Sequence, residues 1–445
     1  MLLRFSVENF ACFAELATLS MVASSDRSHP GHVVEAEAAT GRGHRSLRLA
    51  ALYGANGHGK TRFVEAAMAL QRLVLHGVRV DQALRYTPFR LESALRGQPT
   101  RFEIVFEHGG AEYEYGVVHD ARRIHDEWLY AREGAGREAA VFVRTTAPDG
   151  TTTVKAGKAA PKLKRGLFGV LAAGTRMNQP FLTEGAERNV ELFAVVRRWF
   201  SDVLVPIPAT AHYVALPAHA RDNPDFGALL GPYLGAADTG IEKVTTEEQP
   251  FDVGRLRELP EDERQRLVEA CERGETLSVA DDEGEMFTLC RGKAGGVVMV
   301  RLKTHRRDDQ GQDVEFDFTD ESAGTRRLAN LLPIVGPGAA GRVYLVDEID
   351  RKLHPVLARE LIRRFGDAQT SGQLIFTTHN THLLDLDVLR RDEIWFTSKD
   401  ERGRASLASL AEFRVRKDLE IEKGYLSGRF GAIPFLGNLR DLGWR

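Results

Sequence analysis

The chain has 445 residues, 43% of them hydrophobic and 28% charged, with a formal net charge of −3. This balance excludes a disordered or fibrous polymer and the global basicity of a dedicated nucleic-acid binder, although a local basic face could still hold phosphates. The length accommodates roughly three average domains, so core size is no obstacle.

Cys12, Cys271 and Cys290 are odd in number, far apart and without a CxxC pair, which suits a reducing compartment. The start MLLRFSVENF lacks a long apolar core before a small-residue cleavage site. No later stretch reaches the roughly 18 uninterrupted apolar residues of a membrane span. A cytoplasmic protein with no membrane segment is expected.

In chain order, LLRFSVENF and LRLAALYG read as strands, the second running into the loop GANGHGKT. A helix is predicted from near Lys60, with Phe63, Ala66, Ala67, Leu70, Leu73 and Val74 at helical spacing. The stretch RFEIVFEHGGAEYEYGVV alternates Phe102, Ile104 and Phe106, turns at Gly109 and Gly110, and resumes with Tyr113, Tyr115 and Val117, which predicts a β-meander continuing through IHDEWLYAR. Residues 155–165 are basic and broken by Gly and Pro, and read as a solvated loop or domain edge.

Helical patterns follow in VELFAVVRRWFSDVL and PEDERQRLVEACERG, then strands with a glycine turn in GEMFTLCRGKAGGVVMVRLKTHRR. No apolar heptad persists, so no long coiled coil is expected. From residue 341, GRVYLVDEID, HPVLARELIRRFGDA and GQLIFTTHN read as strand, helix and strand, the signature of a parallel sheet. This block and the N-terminal glycine loop are expected to share one sheet. The segments drawn on this basis are 1–150, an N-terminal lobe with glycine loop and meander; 151–310, an inserted mixed α/β region; and 311–445, a C-terminal lobe.

Gly54, Gly59, Lys60 and Thr61 match G-x-x-x-x-G-K-[ST], with Asn56 and Gly57 inside the loop. Glycines let several N–H groups face one anion, Lys60 supplies a point charge to the outer phosphates, and the Thr61 hydroxyl can bind Mg²⁺. The apolar run Val343 to Val346 ends in Asp347 and Glu348. Asp347 is placed to hold the metal and Glu348 to polarise the water that attacks the γ-phosphate; the bland alternative is a pair of acids capping the next turn. His379 ends a second apolar strand, where an imidazole could bond the γ-phosphate or the attacking water, or be structural. The basic stretches VRLKTHRR and RELIRRF could track a nucleic-acid backbone or form solvated faces.

The glycine loop, ESAGT, LVDEID and TTHN, in that order, resemble the ATP-binding-cassette class of P-loop ATPases, in the soluble branch shared with SMC, Rad50 and RecF proteins. Within it the chain is most similar to the AbiL/RloA-like AAA ATPases of bacterial abortive-infection and phage-defence operons, on FSVENFACF, EIDRKLHP and GYLSGRFGAIPFLG. The resemblance implies an α/β head with an antiparallel β-subdomain that binds ATP and Mg²⁺ and hydrolyses ATP. It further implies a head-to-tail homodimer or higher homo-oligomer in which Ser322 and Gly324 of ESAGT close a partner's site. On residues alone, this Ser and Gly could be only a helix cap.

By the same resemblance Asp350 falls in the dimer-contacting D-loop, and His354 is structural by default. ESAGT departs from the LSGGQ of transport cassettes. No glutamine loop is evident, with Gln82 and Gln98 the candidates by position. The tail after His379 is too short for the added nuclease domain of overcoming-lysogenisation-defect proteins, so an operon-encoded toxin or nuclease is the expected effector. Two other readings stay open: a RecF- or Rad50-like DNA-repair ATPase, and a nucleotide-gated scaffold with little turnover.

Overall fold

A computed structural model of the chain describes residues 1–35, 45–78, 82–134, 136–161, 166–209, 216–257, 259–280, 286–336, 340–368, 371–413 and 421–432. Residues 162–165 of the basic segment and 433–437 of the tail motif lie outside them. Contacts divide the chain into two compact units. Residues 1–209, 340–349 and 362–445 form the first, and residues 210–339 and 350–361 the second. These divisions differ from the segments drawn at 150/151 and 310/311. Phe181, Phe193, Trp199 and Leu204 join the first unit's core, whereas Leu328 and Leu332 join the second's.

The first unit opens with the antiparallel pair β1 (Leu2–Glu8) and β2 (Ala17–Ser20). The short strands β3 (Val33–Glu35) and β4 (Arg45–Leu47) pair with each other. Then β5 (Leu49–Tyr53) is buried at every position, as a continuous apolar run in a central parallel strand should be. It feeds the glycine loop and α1 (Lys60–His76), which buries the six apolar positions that the helical spacing marks.

The meander extends further than its aromatic alternation shows. Strands β6 (Thr100–His108), β7 (Ala111–His119), β8 (Ile124–Glu133), β9 (Ala139–Thr146) and β10 (Thr152–Ala156) complete an antiparallel sheet of order β10-β9-β8-β7-β6-β1-β2. Helices α2 (Leu167–Gly174), α3 (Phe181–Glu187) and α4 (Glu191–Arg198) follow. Phe142 meets Phe181 at 4.9 Å and Phe193 at 5.5 Å, and Trp199 stacks on Phe106 at 4.1 Å. The helix predicted for residues 190–204 loosens into a π-helical turn at Trp199–Val203, and β11 (Leu204–Ile207) begins where it ends.

A buried carboxylate ties these helices to the sheet. Glu127 accepts hydrogen bonds from the backbone of Phe181 and Leu182 at 2.7 and 3.0 Å, from the Tyr115 hydroxyl at 3.1 Å and from Arg144 at 3.1 Å. Both members of the ion pair are fully buried.

The second unit holds α5 (Leu216–Asp222), α6 (Pro224–Gly235), β12 (Lys243–Pro250), α7 (Glu261–Glu272), β13 (Leu277–Ala280), β14 (Met286–Arg291), β15 (Val297–Arg307), β16 (Asp313–Asp317) and α8 (Ala323–Val335). Strand β15 pairs with β12 along one edge, and with β14 and then β16 along the other. Phe226, Leu230, Leu234, Leu302, Leu328 and Leu332 form a core among α6, β15 and α8.

The remaining elements are β17 (Val343–Val346), α9 (Pro355–Asp367), β18 (Gln373–Thr377), β19 (Ile394–Lys399), β20 (Ala405–Ser409) and α10 (Ile421–Leu426). The second sheet of the first unit runs β11-β17-β18-β5-β19-β20, parallel through β19 and antiparallel at β20. The glycine-loop strand therefore lies between β18 and β19, and the expected shared sheet is present. Gln373, buried at the start of β18, accepts from Leu2 N–H at 2.6 Å and donates to the carbonyls of Leu2 and Leu47, both at 2.9 Å, which locks the antiparallel sheet to the parallel one. The longest helix among the described residues is α1, 17 residues, and none is long and apolar enough to cross a membrane.

Candidate nucleotide site

The glycine loop curls as an anion cradle must. Gly57 and Gly59 take φ values of 78° and 107°, a region that side chains disfavour. Gly59 is also enclosed, since a Cβ there would come within 2.8 Å of Cys12 Sγ and 3.2 Å of Phe13. At Gly54 a Cβ would fall 2.1 Å from Thr397 Oγ1 and 2.6 Å from its carbonyl. The loop is thus clamped between the N-terminal hairpin and β19. Lys60 is buried, and its Nζ donates to the carbonyls of Gly54 at 2.6 Å and Ala55 at 3.2 Å.

The acids sit where the parallel strands end. Asp347 is 3% exposed, and its Oδ1 accepts from the Thr377 hydroxyl at 2.6 Å and from the Thr61 hydroxyl at 3.2 Å. A carboxylate beside a hydroxyl is a hard oxygen set of the kind Mg²⁺ takes in phosphate sites, where it keeps several waters. Glu348 adopts φ 47°, a left-handed conformation that costs a side-chain-bearing residue roughly 1–2 kcal/mol. Such strain is found at functional turns and needs support from its surroundings. His379, exposed just past the end of β18, places Nδ1 3.5 Å from Lys60 Nζ.

Lys60, Thr61, Asp347, Glu348 and His379 therefore gather at one edge of one sheet. Neither Lys399 nor His58 is marked by the motif. The Lys399 ammonium donates to Gly57 O at 3.2 Å. Burial, with Lys399 and Lys60 acting in the same direction, holds the His58 imidazole below its ordinary pKa against a raising bond to the Thr397 backbone. Lys399, the last residue of β19, carries no local sequence signal, since only the pairing of β19 with β5 brings it to the loop.

Ser322, Gly324 and Asp350 belong to the second unit. Ser322 is the N-cap of α8, which starts at Ala323; its Oγ accepts from Thr325 N–H at 3.1 Å. The cap reading of ESAGT is thus realised, and the cap leaves Ser322 exposed. Gly324 is small for a reason, because a Cβ would lie 2.9 Å from the carbonyl of Lys352, itself at φ 62°. The ESAGT turn thereby rests on the loop that follows Asp350. A cleft of about 520 Å³ opens here, with Asp238, Arg306, Glu321, Ser322, Thr325 and Lys352 among its walls.

Glu321, next to Ser322, is held by Arg306 through two bonds of 2.6 and 2.8 Å and by the Thr304 hydroxyl at 2.6 Å. Burial raises its carboxyl pKa, but these bonds and the Arg306 charge outweigh burial and leave it below the ordinary value.

The basic stretch of β15 is neutralised by its neighbours. Lys303 pairs with Asp317 at 2.8 Å and with Glu247 and Glu315 at 3.6 Å, His305 with Asp313 at 3.0 Å, and Arg307 with Glu242 at 3.1 Å. In α9, Leu361 and Ile362 are buried and Arg363 pairs with Asp367, the amphipathic face that the sequence allows. Gln82 and Gln98 offer their carbonyls to Asn178 and Asn9, at 3.2 and 2.6 Å.

Among solved structures, the chain is similar to an SMC head bound to the C-winged helix domain of ScpA, at 12% identity over 92% of this chain and 97% of that one, with a TM-score of 0.38. It is also similar to the SMC head domain from Thermotoga maritima, at 12% identity over 92% of this chain and 98% of that one, with a TM-score of 0.36. No match was found among the curated proteins. A family model described as "AAA domain, putative AbiEii toxin, Type IV TA system" matches residues 49–385, more than half of the chain and a span that includes every site residue marked by the sequence motifs, and the chain belongs to this family.

Proposed function

We propose that this protein binds and hydrolyses ATP as a head-to-tail homodimer and uses its nucleotide state to control a separate toxin or nuclease in antiviral defence. The observation that carries the ATPase reading is the meeting of Lys60, Thr61, Asp347 and His379 at the ends of β5, β17 and β18. In this reading the loop N–H groups and Lys60 take the outer phosphates, the ammonium exchanging its loop carbonyls for anionic oxygens. Thr61 and Asp347 would hold Mg²⁺, which supplies charge neutralisation across the phosphates when bound.

Glu348 accepts the proton of the attacking water as its oxygen bonds to the γ-phosphorus and the bridge to ADP breaks. His379 contacts the γ-phosphate. Ser322, Gly324 and the N-terminus of α8 close the partner's site, with Asp350 at the dimer contact. The neutralised β15 favours a protein effector over nucleic acid. The defence context is supported by the toxin–antitoxin description of the family.

The test compares phosphate release and ATP binding by the wild type, Lys60→Ala and Glu348→Gln. Loss of binding in the first and retained binding with hydrolysis slowed by roughly 10²–10⁴-fold in the second are expected. Ordinary turnover in Glu348→Gln removes that residue from its role. Proteins that copurify with Glu348→Gln in ATP identify the effector, and an ATP-independent monomer overturns the dimer.

A further inference from the structure

We propose that Thr377 is a positioning residue for ATP hydrolysis: its single hydroxyl sets both the Asp347 carboxylate and the turn that carries Glu348. The inference rests on the roles assigned to those two acids above. The ladder between β17 and β18 ends at the pair Val346 and Phe376. One residue further, the side chain of Thr377 takes over from the backbone. Its Oγ1 donates to Asp347 Oδ1 at 2.6 Å and accepts from Glu348 N–H at 2.7 Å, while its carbonyl accepts from Ile349 N–H at 3.1 Å. Three consecutive residues are thereby tied to one threonine.

The arrangement makes demands that only a hydroxyl on a branched side chain meets. The position is fully buried at the end of the run Leu374, Ile375 and Phe376, where valine would fill nearly the same space with equal strand preference. Burying a hydroxyl among apolar neighbours is unfavourable unless it is bonded, and here the oxygen both donates and accepts. The donated proton fixes the Asp347 oxygen that also faces Thr61. The accepted N–H belongs to a residue at φ 47°, a conformation that relaxes unless its surroundings hold it. Glu348 would then swing with its own backbone.

The experiment measures ATP binding, and phosphate release across a Mg²⁺ titration, for full-length Thr377→Val and Thr377→Ser beside the wild type and Glu348→Gln. Thr377→Val is expected to lower kcat by roughly 10- to 100-fold, to raise the Mg²⁺ concentration for half-maximal rate, and to leave ATP affinity within about threefold; Thr377→Ser is expected to restore both rate and midpoint to within about threefold. A hydroxyl that served packing alone would move the melting temperature without moving the Mg²⁺ midpoint. If Thr377→Val does not fold, Thr377→Ala carries the same comparison.

Unchanged kcat and midpoint in the folded Val or Ala variant, or a Ser variant no better than Val, overturns the proposal. If Glu348→Gln itself turns over normally, the reading of the acids fails. An inactive Glu348→Gln beside a fully active Thr377→Val overturns only the positioning role.

Discussion

The Thr61 hydroxyl lies 3.2 Å from Asp347 Oδ1, joining residues 286 positions apart at the start of α1 and the end of β17. Asp347→Asn keeps the shape of this pair and removes its charge. It is expected to lower Mg²⁺-dependent hydrolysis by at least about tenfold while binding of metal-free ATP persists, read by phosphate release and nucleotide titration.

Gly54→Ala tests the clamp on the loop. Its Cβ would meet both the Thr397 hydroxyl at 2.1 Å and the Thr397 carbonyl at 2.6 Å, and the second is backbone. A loss of about 1–3 kcal/mol in urea unfolding is expected, with loss of ATP binding. Adding Thr397→Ala removes only the first contact, so the double variant should recover stability in part.

Gly324→Ala addresses the second unit. A Cβ 2.9 Å from Lys352 O must displace the ESAGT turn or the loop behind it. Each protomer should still bind ATP at its own glycine loop, while hydrolysis and ATP-dependent dimerisation, followed by sedimentation, decline. Mixing Gly324→Ala with Lys60→Ala should restore one working site per mixed dimer. Failure to complement while both variants remain folded counts against closure in trans.

Acid sensitivity follows from Glu321. Its folded pKa lies below the ordinary value of 4.5, because the bonds from Arg306 and Thr304 outweigh burial. A depressed carboxylate contributes stability that is present above the ordinary value and lost as pH falls through the folded one. The wild-type melting temperature should therefore fall more steeply below pH 4.5 than that of Glu321→Gln, in scanning calorimetry or circular dichroism.

Glu127→Ala removes the acceptor shared by Arg144, Tyr115 and the backbone of Phe181 and Leu182. It leaves a fully buried guanidinium without its carboxylate, held only by the carbonyls of Arg176, Met177 and Gln179, for which a loss of about 3–5 kcal/mol is expected in chemical denaturation. Arg144→Met with Glu127→Leu should cost less than either single change.

Much of the site was legible in local pattern. The loop GANGHGKT, the apolar spacing of α1 and the buried runs ending at Asp347 and His379 depend on chain geometry over a few residues, and that geometry carries the chemistry with it. Where meaning depends on a partner distant in the chain, the residues were silent. Thr377 looks like any strand threonine until Asp347 and Glu348 are beside it, and VRLKTHRR looks like a basic patch until β12 and β16 bring it acids.

By itself the sequence determined a P-loop in a strand-loop-helix setting, a parallel α/β block and the candidate residues for phosphate and metal, because short-range periodicity and spacing specify them. Tertiary structure alone decided that β5 enters between β18 and β19, that Gly54 and Gly59 have no room for a side chain, and that one threonine supports both acids. The physical reason is that these are contacts between segments far apart in the chain, set by which surfaces pack together and not by the residues on either side.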